Sequence, residues 1–212
     1  MRYDLHGHTH YSRCSNLRPN IILKLAKKKG LNGIAITDHE EVKGAIEVKK
    51  LNKDSDFEVI IGEEIHTNYG DVLVYYLSEK IRKNDFHDVI ELARKQNALV
   101  SLAHPFRTTL VNDHKFKLPI AQVKRDIDAI ECFNARMMFP GNNMLAFGTA
   151  EKLDIAKTAG SDSHFWFEIG TGYTVFEGSL RKAIKRKETL VEGKIKFGAF
   201  GGALSYLKKK FI

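Results

Sequence analysis

The feature that most limits how this chain can fold is an alternation. Short, apolar, β-rich runs recur along it: "NGIAIT" (32–37), "FEVIIG" (57–62), "DVLVYYL" (71–77), "ALVSLA" (98–103) and "DAIECF" (128–133). Each has the length and composition of a buried strand. Among and beyond them, residues 19–29 (opened by a proline), 40–51, 84–96 and 144–152 carry apolar side chains at helical spacing. Strand then helix, repeated, predicts an α/β fold with a largely parallel sheet. About six or seven such units in this length fit a small β/α barrel better than an open dinucleotide-binding sheet. No GxGxxG follows an early strand and no GxxxxGK[ST] occurs, so nucleotide-cofactor readings lose their support.

The polar residues fall in a pattern on this frame. "DLHGHTH" opens the chain; if extended, it puts Asp4, His6 and His8 on one face, and two imidazoles at i, i+2 are a natural grip for one ion. Asp38 and His39 end "AITDH", Glu64 and His66 follow "VIIG", His104 ends "SLAH", Glu131 closes "DAIE", and Asp162 and His164 sit in "AGSDSH". Each lies at or just past the C-terminal end of an expected strand, and in a β/α barrel those ends converge on one mouth. His, Asp and Glu together suit Zn, Mn or Fe. One ion takes about four to six ligands, and His6, His8, His39, Glu64, His104, Asp162 and His164 exceed that for a single ion. Two or more ions sharing a carboxylate are expected, an arrangement that activates water and clamps the oxygens of a phosphoester displacement.

Composition sets outer bounds. The 212 residues support one core, and no low-complexity linker divides them. One domain, 1–212, is expected, with a basic segment, 178–212, completing or flanking the barrel. No apolar run approaches the roughly 20 residues needed to span a bilayer, and the start does not resemble a secretory leader; a cytoplasmic protein with no membrane partner is expected. The two cysteines, Cys14 and Cys132, are far apart and lack CxxC spacing, which argues against a disulfide scaffold or thiolate finger. A net charge of +8 leans toward phosphorylated partners, although "KLAKKKG" and "LRKAIKRKE" also read as ordinary solvated helix faces.

These residues together resemble the PHP (polymerase and histidinol phosphatase) family of metal-dependent phosphoesterases. "DLHGHTHYS", "GIAITDHEEVKGA", "GEEI", "SLAHPFR" and "AGSDSHFWFEIG" are similar to its successive motifs, and "ECFNAR" to the segment between the last two. The resemblance implies a distorted (β/α)7-type barrel holding two or three divalent ions (Zn, Mn or Fe), with His6, His8, His39, Glu64, His104, Asp162 and His164 as ligands and Glu64 as the bridge. The chain departs from the family in two places. Where many members carry an acid or histidine after the first motif, it has Cys14, which can substitute as a thiolate or pack as a spectator. Where members often have a histidine after Gly-x-Glu, it has Asp71, leaving a third ion to Asp71, to His66 or to neither.

The expected reaction is hydrolysis of a phosphate ester by a metal-activated hydroxide, with Asp38 or His164 managing protons beside Glu64. Asp4, and likewise Glu131, is expected to support the ligand imidazoles from behind. Glu63 should face away from Glu64, as a surface or supporting residue. Arg107 and Arg136, marked by the resemblance, and Arg18 beside Pro19 are candidates for gripping phosphate. The aromatic stretch "HFWFEIG" can stack a base or fill the core. Expected substrates are a phosphorylated small molecule, a nucleotide or an oligonucleotide end; oligomeric state is left open. Two other classes stay in view: a metal-containing barrel that binds RNA or protein without catalysis, and a metal-dependent amidohydrolase.

Overall fold

The computed structural model describes residues 1–109, 115–196 and 198–211. In chain order its elements are β1 (Arg2–Asp4), α1 (Pro19–Lys28), β2 (Gly33–Ile36), α2 (Lys43–Leu51), β3 (Glu58–Thr67), β4 (Gly70–Tyr75), α3 (Phe86–Lys95), β5 (Leu99–Leu102), α4 (Ile120–Val123), β6 (Ala129–Asn134), α5 (Pro140–Leu153), β7 (Ala156–Gly160), β8 (Gly172–Val175), α6 (Leu180–Arg186), β9 (Leu190–Gly193) and α7 (Gly198–Phe211). Among the described residues no helix is long and apolar enough to cross a membrane.

Local chemistry accounts for the helices. Pro19 and Pro140 start α1 and α5, where a missing N–H costs nothing and the fixed φ already suits the helix. The Asp85 side chain caps α3 by accepting from the His87 and Asp88 N–H groups. Helix α2 begins at Lys43, three residues later than its periodicity suggests. The backbone there is tied to its neighbour and turns before the helix can start: His39 bridges to Glu64, and Glu40, at φ 51°, donates its N–H to Glu64 O at 3.0 Å.

The nine strands are ordered β7-β6-β5-β4-β3-β2-β1-β8-β9. Pairings β1–β2, β2–β3, β5–β6 and β6–β7 are parallel, whereas β3–β4, β4–β5, β1–β8 and β8–β9 are antiparallel. The expectation of a largely parallel sheet is therefore corrected. Strand β3 outruns its apolar stretch and turns straight back into β4 through a tight hairpin pairing Thr67 with Gly70, so no helix is needed between them. Strands β7 to β9, rich in small and polar residues, carried too little apolar patterning to stand out.

The sheet curls until its ends meet. Beyond β1 and β7 the two chains run together: Leu5 N–H donates to Ala159 O, Asp162 N–H to His6 O and His8 N–H to Ser163 O. This contact needs a glycine. A Cβ on Gly160 would lie 2.3 Å from His6 Cβ and 2.6 Å from its N. At the other end β8 wedges in, its Thr174 hydroxyl accepting from Ala159 N–H at 2.8 Å.

Period-two alternation then sorts the side chains. Ile34 and Ile36, Val72 and Val74, Val100 and Leu102, and Ile130 and Cys132 join the outer apolar layers, while Ala35, Ile60, Leu73, Tyr75, Ala103, Ala129 and Ala156 pack together in a separate cluster. Following that second parity along the strands leads from Ala35 to His39, from Ile60 to Glu64 and from Ala129 to Glu131. The alternation that fills the floor with apolar groups delivers polar ones to the mouth.

Candidate metal centre

Six of the seven expected ligands have side chains at most 5 % exposed, and His39 is about half exposed at the edge. His6 sits at the middle. Its Nδ1 lies 2.8 Å from Glu131 Oε1, where a carboxylate can only accept, so Nδ1 carries the proton and Nε2 turns inward. That Nε2 lies 3.1 Å from His8 Nε2, 3.3 Å from Glu64 Oε2 and 3.7 Å from Asp162 Oδ1. His8 Nε2 is also 3.3 Å from both Glu64 Oε2 and Asp162 Oδ1.

Three groups of donors, each with its ligand atoms within 4.8 Å of one another, share the mouth: His6, His8 and Glu64; Glu64, Asp71 and His104; and His8, His39 and His164; a fourth, His6, His104 and Glu131, overlaps the first two. Glu64 belongs to two of them, and its Oε2 also lies 3.0 Å from His39 Nδ1 in the third. Two strand-end turns that carry these residues are strained: His104 has φ 29° and Asp162 φ 53°, conformations that L-residues adopt at a cost and that cluster at functional sites.

The donor set fits divalent ions on its own evidence. Among the described residues Glu64 Oε2 is buried with no hydrogen-bond partner, a costly state for an anionic oxygen unless a cation faces it. Burial alone would hold His6 neutral, yet Glu131, Asp162 and Glu64 outweigh it and push its pKa well above the imidazole range. Burial likewise raises the Glu64 carboxyl, but His39 and His6 hold it well below the ordinary range. The cluster thus demands positive charge, which an ion can supply in place of protons.

Several residues take other places than expected. Asp38, a proposed proton manager, has both oxygens committed: Oδ1 accepts from Thr9 N–H at 2.7 Å and Ser12 Oγ at 2.6 Å, and Oδ2 from Thr9 Oγ1 at 2.6 Å. It ties down the loop after His8. Asp4 accepts from Ser161, Gly170 and the His6 backbone and so anchors main chain, whereas Glu131 orients the His6 imidazole and also accepts from His104 N–H. Glu63 faces away from Glu64, but it is fully buried, accepting from Ile81 N–H at 3.1 Å.

Arg136 is buried rather than open to substrate. Its Nε lies 3.0 Å from Glu168 Oε1, its Nη1 2.6 Å from His164 Nδ1, and its Nη2 donates to Ser205 Oγ. The guanidinium is spent on positioning His164. Arg107 follows the His104 turn, its N–H donating to His104 O, and is partly exposed. Arg18 lines a cavity of about 730 Å³ with His10 and Lys208. His66 is 78 % exposed and joins no donor group among the described residues; it pairs with Asp71 Oδ1 at 2.5 Å. In "HFWFEIG", Phe165 is buried while Trp166 stands 62 % exposed.

Sequence reasoning missed Glu168, which accepts from His164 and Phe165 N–H, and Asn134, which donates to Glu131 and Asp162. Both lie inside stretches already singled out, but only folding brings them to their partners.

A barrel whose mouth gathers imidazoles and carboxylates around a shared glutamate has the makings of a metal centre. The chain belongs to the PHP domain family, whose model matches residues 4–128, with a PHP-associated region matching 140–189. It is 37 % identical over 148 residues, 64 % of this chain and 82 % of the other, to the uncharacterised protein MJ1587 of Methanocaldococcus jannaschii. It is also 35 % identical to MJ0417 of the same organism, over 83 % of this chain and 70 % of that one. Among solved structures, a two-domain Bacteroides vulgatus protein containing a predicted PHP-like metal-dependent phosphoesterase superposes with TM-score 0.75 at 19 % identity, over 92 % of this chain; the match spans 65 % of that protein's length. An amidohydrolase of Chromobacterium violaceum, with bound sulfate and no metal, shares the fold at TM-score 0.63 and 12 % identity over 89 % of this chain and 97 % of that one.

Proposed function

We propose that this protein is a metal-dependent phosphoesterase acting on a phosphorylated small molecule, a nucleotide or an oligonucleotide end. The observation that carries the reading is the sharing of Glu64, whose buried Oε2 has no hydrogen-bond partner among the described residues, between adjacent donor groups. His6, His8, Glu64 and Asp162 would hold one ion, and Glu64, Asp71 and His104 a second. Zn, Mn or Fe suits such mixed nitrogen and oxygen donors. Bound there, the ions would supply Lewis acidity and lower the pKa of water from about 16 to near 7.

The chain's own residues prepare the site. Glu131 fixes the His6 ring so that Nε2 faces inward, and Asp38 with Ser12 holds the loop from which His8 projects. Arg136 and Glu168 brace the turn bearing His164. Arg107 and Arg18, free of that bracing network, are the guanidinium groups available to a phosphate, and bidentate pairing suits them to it. The excess of basic residues gives longer polyanions a further attraction.

The test is hydrolysis, with Mn or Zn, of an aryl phosphate, a nucleotide panel, a 5′-phosphorylated single-stranded oligonucleotide and a set of amide substrates, each run also with chelator and with Asp162→Asn. Phosphate release that vanishes in both controls is expected. Metal-dependent cleavage confined to amides would make the protein an amidohydrolase, and no turnover of any substrate would leave a binding module.

A further inference from the structure

The basic stretch "LRKAIKRKE", which the metal centre leaves unused, lies at the other end of the barrel. Strands β5, β6 and β7 run parallel and carry His104, Glu131 and, past Gly160, Asp162 toward the mouth. Their starting ends, at Leu99, Asp128 and Ala156, line a recess of about 610 Å³. Five cationic side chains surround it, Arg94, Lys124, Arg181, Lys185 and Lys187, against two carboxylates, Asp128 and Asp154. Both carboxylates are already answered: Arg94 Nη1 lies 2.7 Å from Asp128 Oδ2, and Lys187 Nζ pairs with Asp154. Among the described residues Lys124, Arg181 and Lys185 form no ion pair; Lys124 reaches only a backbone carbonyl, Leu153 O, at 3.3 Å.

A cation in the last turn of a helix complements its dipole, and Arg94 and Lys185 need no more explanation than that. Arg181 is different. It occupies the first turn of α6, where positive charge opposes the dipole and no acidic residue stands beside it. It is held there without a counter-charge: Nη1 donates to Asn97 O at 2.7 Å, and the guanidinium lies over the Tyr76 ring, 4.1 Å from its centroid. One turn further along α6, Ile184 and Lys185 share its face, whereas Lys182 and Arg186 are exposed and lie outside the recess. Arg94 braces the wall, donating to Ala98 O and Asp126 O as well as to Asp128. Behind the cations the back of the recess is apolar, with Ile127, Ile155 and Ile184 each at most 7 % exposed. Like charges over a low-dielectric wall focus the field and concentrate counter-ions.

We propose that this recess is a binding site for a compact polyanion, a small molecule carrying two or more phosphate groups, separate from the metal centre and needing no metal. The inference does not depend on the reaction at the mouth. Three unanswered cations exceed the charge of a single phosphate monoester, about −1.5 to −2 near neutral pH. The volume falls within the range of small-molecule sites, roughly 300–1,000 Å³. The cations ring a hollow instead of following a groove lined with stacking aromatics, which favours a small anion over a nucleic-acid strand.

The experiment titrates inorganic triphosphate by calorimetry into the full chain stripped of metal, with orthophosphate as the comparison. One triphosphate per chain is expected, bound about tenfold or more tighter than orthophosphate and weakened by added salt. Arg181→Ala and Lys185→Ala should each lower the affinity about tenfold or more, as loss of a charge-assisted hydrogen bond does. Lys182→Ala with Arg186→Ala removes the same charge from the same helix and should leave the affinity unchanged. A measurement on wild type alone guards against a misfolded variant: bound triphosphate should protect Lys124 and Lys185 from acylation while Lys182 stays reactive. Absence of binding, equal losses from the two faces of α6, or equal reactivity of the three lysines would reduce the recess to diffuse surface charge and overturn the proposal. Tighter binding of a single-stranded oligonucleotide through Arg181 and Lys185 would overturn it too, making the barrel floor a nucleic-acid contact.

Discussion

Two adjacent glutamates on β3 meet opposite fates, and the one outside the metal cluster offers a clean measurement. Glu63 is fully buried, with Oε2 accepting from Ile81 N–H and Oε1 without a hydrogen-bond partner among the described residues. Burial, with a smaller push from Glu40 and against the Ile81 hydrogen bond, raises its pKa from 4.5 to about 7. A carboxyl whose pKa is raised on folding binds more protons in the native state, so it lowers stability as pH climbs from the unfolded value through the folded one. At pH 5 the cost is about 1 kcal/mol; at pH 8, where the group is ionised in both states, it reaches about 3 kcal/mol. Glu63→Gln keeps the shape and the acceptor and removes the titration. In urea denaturation with chelator present, the variant should therefore gain about 2 kcal/mol relative to wild type between pH 5 and pH 8. The comparison cancels every other titrating group, and any fixed cost of the amide drops out of the difference. A wild-type-to-variant gap that stays constant across this range would show that Glu63 ionises normally, and the burial reasoning would be wrong.

Closure of the barrel at Gly160 is open to an equally direct test. Gly160→Ala places a Cβ 2.3 Å from His6 Cβ, and with both partners on packed backbone it should cost about 3 kcal/mol and weaken metal binding, read by denaturant melts and metal titration; a neutral substitution would mean that the two strand ends do not meet as described. Glu64→Gln, by removing a carboxylate common to two donor groups, should release more than one ion per chain in elemental analysis. Loss of a single ion would make Glu64 a terminal ligand.

How much of this was legible in the sequence follows from the range of the forces involved. Alternation along an extended chain is fixed by local sterics, so "DLHGHTH" already placed His6 and His8 on one face, and "GEEI" already separated Glu63 from Glu64. Strand-end placement followed from apolar run lengths, which is why His39 and His104 could be named as mouth residues before any folding. The direction of pairing was not local. Asp71 stands at the start of its strand and reaches the mouth because β4 runs backward against β3, setting it opposite His66. Nor could the sequence show that Arg136 spends its charge on Glu168, that Glu63 is covered by the Ile81 segment, or that Cys14 meets His164 across a separation of 150 residues. Such contacts depend on how the whole sheet closes and which loops then cover its end. They arise from the packing of distant segments, which short-range periodicity does not encode.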